Sequence, residues 1–260
     1  MPDLQPAPAL SIVVPTYNER DRLGDLAEAV FASCAAKGLE AELVIVDDNS
    51  PDGTGALADD LSRRYRITVI HRAGKLGLGT AVVEGFHAAM APIVGVIDAD
   101  LSHPPNALPR MLAAMRQASA DVVIGSRYIP GSVIEDWGMA RLLMSRLACL
   151  AARGLTPVKD ATSGFFLMRK DLAHGVRISA GGFKICLELL VRGRPATIVE
   201  IPYVFKGRTA GESKMNLREA LGYVKQLKDL WAFKRSHAAL TQRYVRLTAD
   251  QLQQGPLERS

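Results

Sequence analysis

The chain has 260 residues, of which 48% are hydrophobic and 23% charged. These ordinary globular proportions exclude wholesale disorder, and a chain of this length buries a core without disulfides or metal staples. The three cysteines, Cys34, Cys149 and Cys186, are odd in number and far apart, which excludes a disulfide framework or a zinc cluster and fits a reducing compartment.

The N-terminal MPDLQPAPAL lacks the basic start and apolar core of a secretory signal, and residues 1–9, with three prolines, read as a flexible leader. The longest apolar-looking stretch free of Asp, Glu, Lys and Arg, Gly85–Ile97, has 13 residues, too few to span a bilayer. Lys206–Leu240 carries eight Lys/Arg against three Asp/Glu, which equals the whole-chain net charge of +5. A basic segment on a neutral body points to a phosphate-bearing partner or an anionic membrane surface.

Apolar runs then alternate with helical patterns. Strands are predicted at Leu10–Val14, Glu42–Val46, Ile67–His71, Ile93–Ile97 and Val122–Ile124. Helices are predicted near Asp21–Lys37, Gly55–Arg64, Gly77–Met90 and Pro105–Ala118. The strands are Val/Ile-rich and do not alternate with polar residues, which suits strands covered on both faces. Strand–helix repetition at this spacing predicts an α/β fold with a doubly wound, mostly parallel sheet.

After Arg127 the pattern changes. Pro130–Asp136 reads as a loop and Trp137–Arg153 as an amphipathic helix; short strands at Phe165–Met168 and Thr197–Ile201 flank a helix near Phe183–Arg192. Lys206–Lys214 is a basic loop, Asn216–Lys234 a second amphipathic helix, and residues 236–260 a polar tail. The folded unit therefore runs from about 10 to 235.

Ligands of open α/β sheets bind outside the carboxyl ends of the strands, so the residues just after each strand carry the functional signal. Pro15-Thr16-Tyr17-Asn18-Glu19 offers either a polar cap for the next helix or a ring and a carboxylate suited to a nucleobase. In Asp47-Asp48-Asn49-Ser50-Pro51-Asp52-Gly53, turn chemistry explains the later residues. It does not explain two adjacent carboxylates, which a base or ribose ligand would. Lys75-Leu76-Gly77-Leu78-Gly79-Thr80-Ala81 is no dinucleotide fingerprint, because Val82 stands where Gly or Ala is needed.

Asp98-Ala99-Asp100 is the strongest signal. In an extended chain residues i and i+2 face one side, and paired carboxylates bind Mg²⁺ or Mn²⁺ while substrate phosphates complete the shell. Arg127 follows the fifth strand, placed to donate hydrogen bonds to a phosphate. Arg141 and Ser145 lie four apart on one helical face, placed for a second phosphate. Arg208 and Lys214 bracket a flexible loop able to close over a charged substrate.

Taken together, PTYNE, VDDNSPDG, KLGLGTA, DADLSHPP, GSRY, TSGFFLMRK and AGESK, in this order, resemble the polyprenol-phosphate mannosyltransferases, or dolichyl-phosphate mannose synthases. These are inverting glycosyltransferases of the GT-A fold. The resemblance covers about residues 10–230, with an acceptor loop and helix at about 129–153, and its motif combination is highly specific. It implies a GDP-mannose donor and a polyprenyl phosphate acceptor. Pro15, Tyr17, Glu19, Val46 and Asp48 match the nucleoside positions. Asp98, Ala99 and Asp100 match the metal and diphosphate motif, and Lys184, Arg208 and Lys214 match further donor-phosphate positions. Arg127, Arg141 and Ser145 match the positions near the phosphates and the acceptor. Ser102 stands where some relatives carry a metal-binding Gln; its shorter side chain makes it the weakest metal ligand of the set.

The chemistry fits this inventory. A lipid phosphate is already ionised at neutral pH, so attack at the anomeric carbon needs no evident base. The expected cofactor is Mg²⁺ or Mn²⁺, and the expected partners are a sugar nucleotide, a polyprenyl phosphate and a membrane surface on the cytoplasmic side. A separate membrane-anchoring protein is the alternative route to the lipid. Two other readings remain beside this one: the same reaction class with UDP-glucose or another sugar nucleotide, and a non-catalytic lipid-phosphate binding protein. Nucleic acid is disfavoured because the net charge is confined to that one segment and the body of the chain is neutral.

Overall fold

A computed structural model of the chain describes residues 6–176, 178, 184–207, 217–237, 240–248 and 250–252, without the side chains of residues 217–219. Seven strands and seven helices follow the predicted order. The strands are β1 (Leu10–Thr16), β2 (Ala41–Asp47), β3 (Ile67–His71), β4 (Ile93–Val96), β5 (Val122–Ser126), β7 (Phe166–Arg169) and β8 (Thr197–Pro202). The helices are α1 (Arg20–Ala35), α2 (Thr54–Ser62), α3 (Leu78–Ala88), α4 (Leu108–Ala118), α5 (Met139–Ala151), α6 (Ile185–Arg192) and α7 (Leu217–Ser236).

Three further strands escape the sequence reading: β6 (Val133–Ile134), β9 (Val204–Phe205) and β10 (Arg243–Arg246). The first two form a separate two-stranded ribbon. The third corrects the polar tail, because residues 243–246 add an edge strand to the main sheet and Leu247 is buried behind it. Of the expected flexible leader, Ala9 donates its backbone N–H to the Glu40 carbonyl and the Pro6 carbonyl accepts from Arg66. Residues 1–5 lie outside the described residues.

The main sheet has eight strands in the order β10-β8-β5-β7-β4-β1-β2-β3. All neighbours are parallel except β7, which runs antiparallel to both β4 and β5. Alternate residues of each central strand serve opposite layers. Ile12 and Val14 of β1 join Leu43 and Ile45 of β2 beneath α1, α2 and α4. Val13, Val44 and Val46 face α3, with α6 and Leu230 of α7 farther along the same side. Burial on both faces is why these strands read as unbroken apolar runs. At Gly85 of α3 any Cβ would overlap the Val13 side chain, so glycine there sets how closely the helix lies on β1.

The amphipathic helix α5 does not bury its apolar stripe. Met139 is 81% exposed, and Leu143, Met144, Leu147 and Leu150 are exposed as well. On α7, Leu221 and Val224 are exposed, while Leu227 packs on the core. The two helices touch where the Tyr223 hydroxyl donates to the Ala148 carbonyl, 2.8 Å away. No described helix is long and apolar enough to cross a membrane.

Candidate active site

The carboxyl ends of β1, β2 and β3 meet because β1 and β2 run in parallel register, with Pro15 opposite Val46 and Thr16 opposite Asp47. The two adjacent carboxylates there do different work, and neither needs a ligand to explain it. Asp47 is buried and accepts from the Thr16 hydroxyl at 3.0 Å and from the Ser50 N–H at 3.0 Å. It closes the turn that Asn-Ser-Pro-Asp-Gly begins.

Asp48 instead faces Arg72, whose Nη1 lies 2.6 Å from Asp48 Oδ1. Arg72 is almost wholly buried, donates to Thr80 Oγ1 at 2.6 Å and to the Gly77 carbonyl at 3.3 Å, and lies 3.2 Å from Glu84. It thus fastens the KLGLGT loop to the acidic turn. Burial raises the Asp48 carboxyl above its ordinary range, with Arg72 pulling it down. The sequence reading missed Arg72; its position at the end of β3 was the available signal.

Tyr17 is exposed, and the Lys75 ammonium sits 3.4 Å from its ring centroid. Glu19 precedes α1, and its backbone N–H is held by the Thr54 hydroxyl at 3.0 Å. Val46 is fully buried within β2, so its side chain belongs to the core.

The Asp98-Ala99-Asp100 segment is not extended, as the sequence argument assumed. Strand β4 stops at Val96, residues 99–100 form a turn, and Leu101 adopts a left-handed φ of 60°. The carboxylates therefore sit unequally. The Asp98 side chain is 35% exposed, whereas Asp100 is buried, with Oδ1 accepting from the Ser102 N–H at 3.0 Å. Ser102 and Ala99 are buried, and the Ser102 contact fixes Asp100 through the main chain.

His103 lies under this turn. Its Nδ1 is 3.4 Å from the Asp98 N–H and 3.7 Å from Asp98 Oδ2, and its ring stacks on Phe165. Burial lowers the His103 pKa. Among the described residues no group of three or more His, Cys, Asp or Glu could hold a metal alone. A pair of carboxylates with one open to solvent is a partial oxygen shell, and that donor set suits a hard divalent cation whose remaining ligands are water and substrate phosphate.

Arg127 follows β5, as predicted, but it is not freely presented. Its Nε and Nη2 each lie 2.7 Å from the Asp160 carboxylate, and its backbone N–H donates to the same group at 2.9 Å. The side chains are 9% and 0% exposed. Burial opposes the charge on both residues, but the pairing wins: the Asp160 carboxyl is held below its usual range and Arg127 above its own. The Asp160 carboxylate engages Nε and Nη2 of Arg127, not Nη1.

The Arg127 guanidinium is boxed by Trp137, Tyr128 and Phe205 at 5.3–5.6 Å from the ring centroids. The Arg141 guanidinium lies 4.3 Å from the Trp137 centroid, and the Tyr128 hydroxyl neighbours Ser145. The fold thus brings Arg127, Arg141 and Ser145 together around two aromatic side chains. Lys184 immediately precedes α6, half-buried, with its carbonyl accepting from Gln226 at 3.3 Å. Arg208 and Lys214 lie outside the described residues.

A sheet end that gathers a ring, two acidic turns and two arginines is the arrangement expected for a nucleotide-sugar transferase. The glycosyl transferase family 2 domain matches residues 11–176. The chain belongs to that family. Within family 2 it groups with the polyprenol-phosphate mannosyltransferases. It is 40% identical over 222 residues to a dolichol-phosphate mannosyltransferase of Pyrococcus furiosus, covering 84% of this chain and 62% of that one. It is 37% identical over 235 residues to the dolichol-phosphate mannosyltransferase of Saccharomyces cerevisiae, covering 86% of this chain and 87% of that one. The chain therefore spans under two thirds of the Pyrococcus protein and most of the yeast one. Its fold is similar to that of a mannosyltransferase from Pyrobaculum calidifontis solved with GDP-mannose and Mn²⁺. The TM-score is 0.61 at 16% identity, with 92% of this chain and 68% of that one covered.

Proposed function

We propose that this glycosyltransferase moves mannose from GDP-mannose to a polyprenyl, dolichyl-type phosphate with inversion at the anomeric carbon. The observation that carries the reading is the composition of α5. One face of the helix places Arg141 against Trp137 and Ser145 beside Tyr128, while Leu143, Leu147 and Leu150 stay exposed on the opposite face. A cation and a hydroxyl on the face turned to the site, with open apolar surface on the opposite face, suit a phosphate that carries an apolar tail. The relatives bearing the dolichol-phosphate mannosyltransferase name support the same reaction.

The nucleoside is held by the Pro15–Glu19 segment, Val46 and Asp48, with Arg72 fixing the Asp48 carboxylate. Asp98 and Asp100 would hold a divalent cation, and Mg²⁺ or Mn²⁺ bound there would offset negative charge on the departing diphosphate. Arg141, Ser145 and Nη1 of Arg127 hold the acceptor phosphate close to a donor that would otherwise repel it. An acceptor phosphate oxygen bonds to the anomeric carbon on the face opposite the diphosphate. The carbon–oxygen bond to the diphosphate breaks and GDP leaves with the electron pair. No proton has to move, because the nucleophile is already an anion. An α-linked donor thereby becomes a β-linked mannosyl phosphate. Lys184, Arg208 and Lys214 add positive charge on the donor side.

The lipid is met at a membrane surface, on the cytoplasmic face. The exposed apolar residues of α5 and α7 support this, flanked by the exposed Arg146, Arg153, Lys225, Lys228 and Arg235, a mixture suited to the interface of an anionic bilayer. The three unpaired cysteines suit a reducing compartment.

A donor panel with polyprenyl phosphate in detergent tests the assignment. GDP-mannose should be used in preference to UDP-glucose, UDP-mannose and GDP-glucose. Preference for a uridine nucleotide would overturn the donor assignment.

A further inference from the structure

Glu200 and Tyr244 lie beyond the span matched by the family domain, and the acceptor-site inventory uses neither. Glu200 sits in the middle of β8 and is completely buried. A buried carboxylate is tolerated only when donors surround it. Three do so here. The backbone N–H groups of Lys159 and Asp160 lie 2.8 and 3.0 Å from its two oxygens, and the Tyr244 hydroxyl donates to Oε2.

Tyr244 reaches Glu200 because β10 pairs in parallel with β8, with Arg246 opposite Glu200 and Tyr244 two residues earlier opposite Ile198. Burial, and after it the Glu200 carboxylate, pushes the Tyr244 hydroxyl well above its ordinary range. It therefore remains a donor throughout the working pH range.

The contacts continue from Glu200 to the site. By binding two successive N–H groups, Glu200 fixes the backbone at 159–160, and Asp160 then binds Arg127 through both carboxylate oxygens and the Arg127 main chain. Arg127 and Arg141 both lie against the Trp137 ring. A shift of the 159–160 turn is thus passed to the group around Trp137. The nucleoside end rests on β1, β2 and β3, on the other side of β7 and β4 in the sheet.

We infer that Tyr244, on the C-terminal edge strand, is a positioning residue for the acceptor-phosphate side of the site, acting through Glu200, Asp160 and Arg127. The assignment of that side to the acceptor rests on the function proposed above; the line of contacts does not.

The test compares Tyr244→Phe with Val245→Ala in the full-length protein. Phe keeps the ring and removes only the hydroxyl. Val245→Ala weakens the same strand's packing on the other layer of the core without touching Glu200. Two measurements are made. In a Trp231→Phe background Trp137 is the sole tryptophan, since the chain has two. Its emission and acrylamide quenching report on the Arg127 box directly. Steady-state kinetics then give KM for polyprenyl phosphate and for GDP-mannose separately.

Tyr244→Phe should change the Trp137 signal and raise the polyprenyl phosphate KM about 2- to 30-fold, the range for substitutions along a coupled network, with the GDP-mannose KM unchanged. Val245→Ala should do neither at a comparable loss of melting temperature. An unchanged Trp137 signal in Tyr244→Phe overturns the inference whatever the acceptor is. So does an equal rise in both KM values, or a Val245→Ala variant that behaves identically. If the Trp137 signal moves while the wild-type enzyme ignores polyprenyl phosphate, the positioning role stands and the proposed acceptor fails.

Discussion

The Asp160 carboxylate receives three hydrogen bonds from Arg127, two from the guanidinium and one from the backbone, across 33 residues of sequence. A pair this buried is informative when one partner is removed, because the other is left charged without compensation. Asp160→Asn should cost about 3–5 kcal/mol of stability, read from chemical denaturation.

The pair also predicts an acid limb. The folded-state pKa of Asp160 is lowered, so its contribution is fully present above the ordinary carboxylate value and is lost as pH falls through the lowered one. Wild-type stability should therefore decline on acidification more steeply than that of Asp160→Asn. Matching acid limbs in the two proteins would contradict this.

Arg72 carries the second prediction. It is fastened to Asp48, Thr80 and the Gly77 carbonyl, and lysine cannot reproduce that fork. Losing a charge-assisted contact costs about 1.5–3 kcal/mol, or roughly 10- to 150-fold in affinity. Arg72→Lys should raise the KM for the sugar nucleotide by about that factor and leave the KM for the lipid phosphate alone. A variant with both values unchanged would remove Arg72 from the donor site.

Much of this architecture was legible in the sequence. Strands β1, β2, β4 and β5 announced themselves because burial on both faces selects mainly Val, Ile and Leu, and the partly buried edge strand β3 did so by its Ile-Thr-Val-Ile run. The strands that escaped are two residues long, or, like β10, polar on an edge: Arg243 and Arg246 are exposed and only Tyr244 and Val245 turn inward. At the site, short motifs placed Asp48, Asp98, Asp100 and Arg127 at strand ends correctly. What they could not give was pairing over distance. Nothing near Arg127 in sequence foretells Asp160, and nothing near Asp48 foretells Arg72. The geometry of Asp98 and Asp100 was misjudged because β4 ends at Val96 and the chain turns, with Leu101 left-handed.

Metal removal gives a third test. Chelation with EDTA should abolish transfer, and added Mg²⁺ or Mn²⁺ should restore it. Asp100→Ala should remain folded by circular dichroism and be inactive with either metal. Normal turnover by metal-stripped enzyme would contradict the role given to Asp98 and Asp100.

Membrane association gives a fourth. Each exposed basic side chain near an anionic surface contributes about 1 kcal/mol, and salt screens that attraction. Co-sedimentation with phosphatidylserine vesicles should fall steeply between low and high salt, and binding to neutral vesicles should be weak. Purified protein that ignores anionic vesicles at low salt, yet is recruited by native membranes, would point instead to a membrane-anchoring protein.

In the proposed reaction the nucleophile is an already ionised lipid phosphate gripped by Arg141. This is tested by supplying labelled GDP-mannose with polyprenyl phosphate or with the same polyprenol lacking phosphate, using wild-type enzyme and Arg141→Ala. An organic-soluble mannolipid should form from the phosphate alone, with a β linkage by NMR. The polyprenyl phosphate KM should be about 10- to 150-fold higher in Arg141→Ala, at an unaltered GDP-mannose KM. Mannose appearing on the free polyprenol, or an Arg141→Ala enzyme with an unaltered acceptor KM, would contradict the proposed reaction.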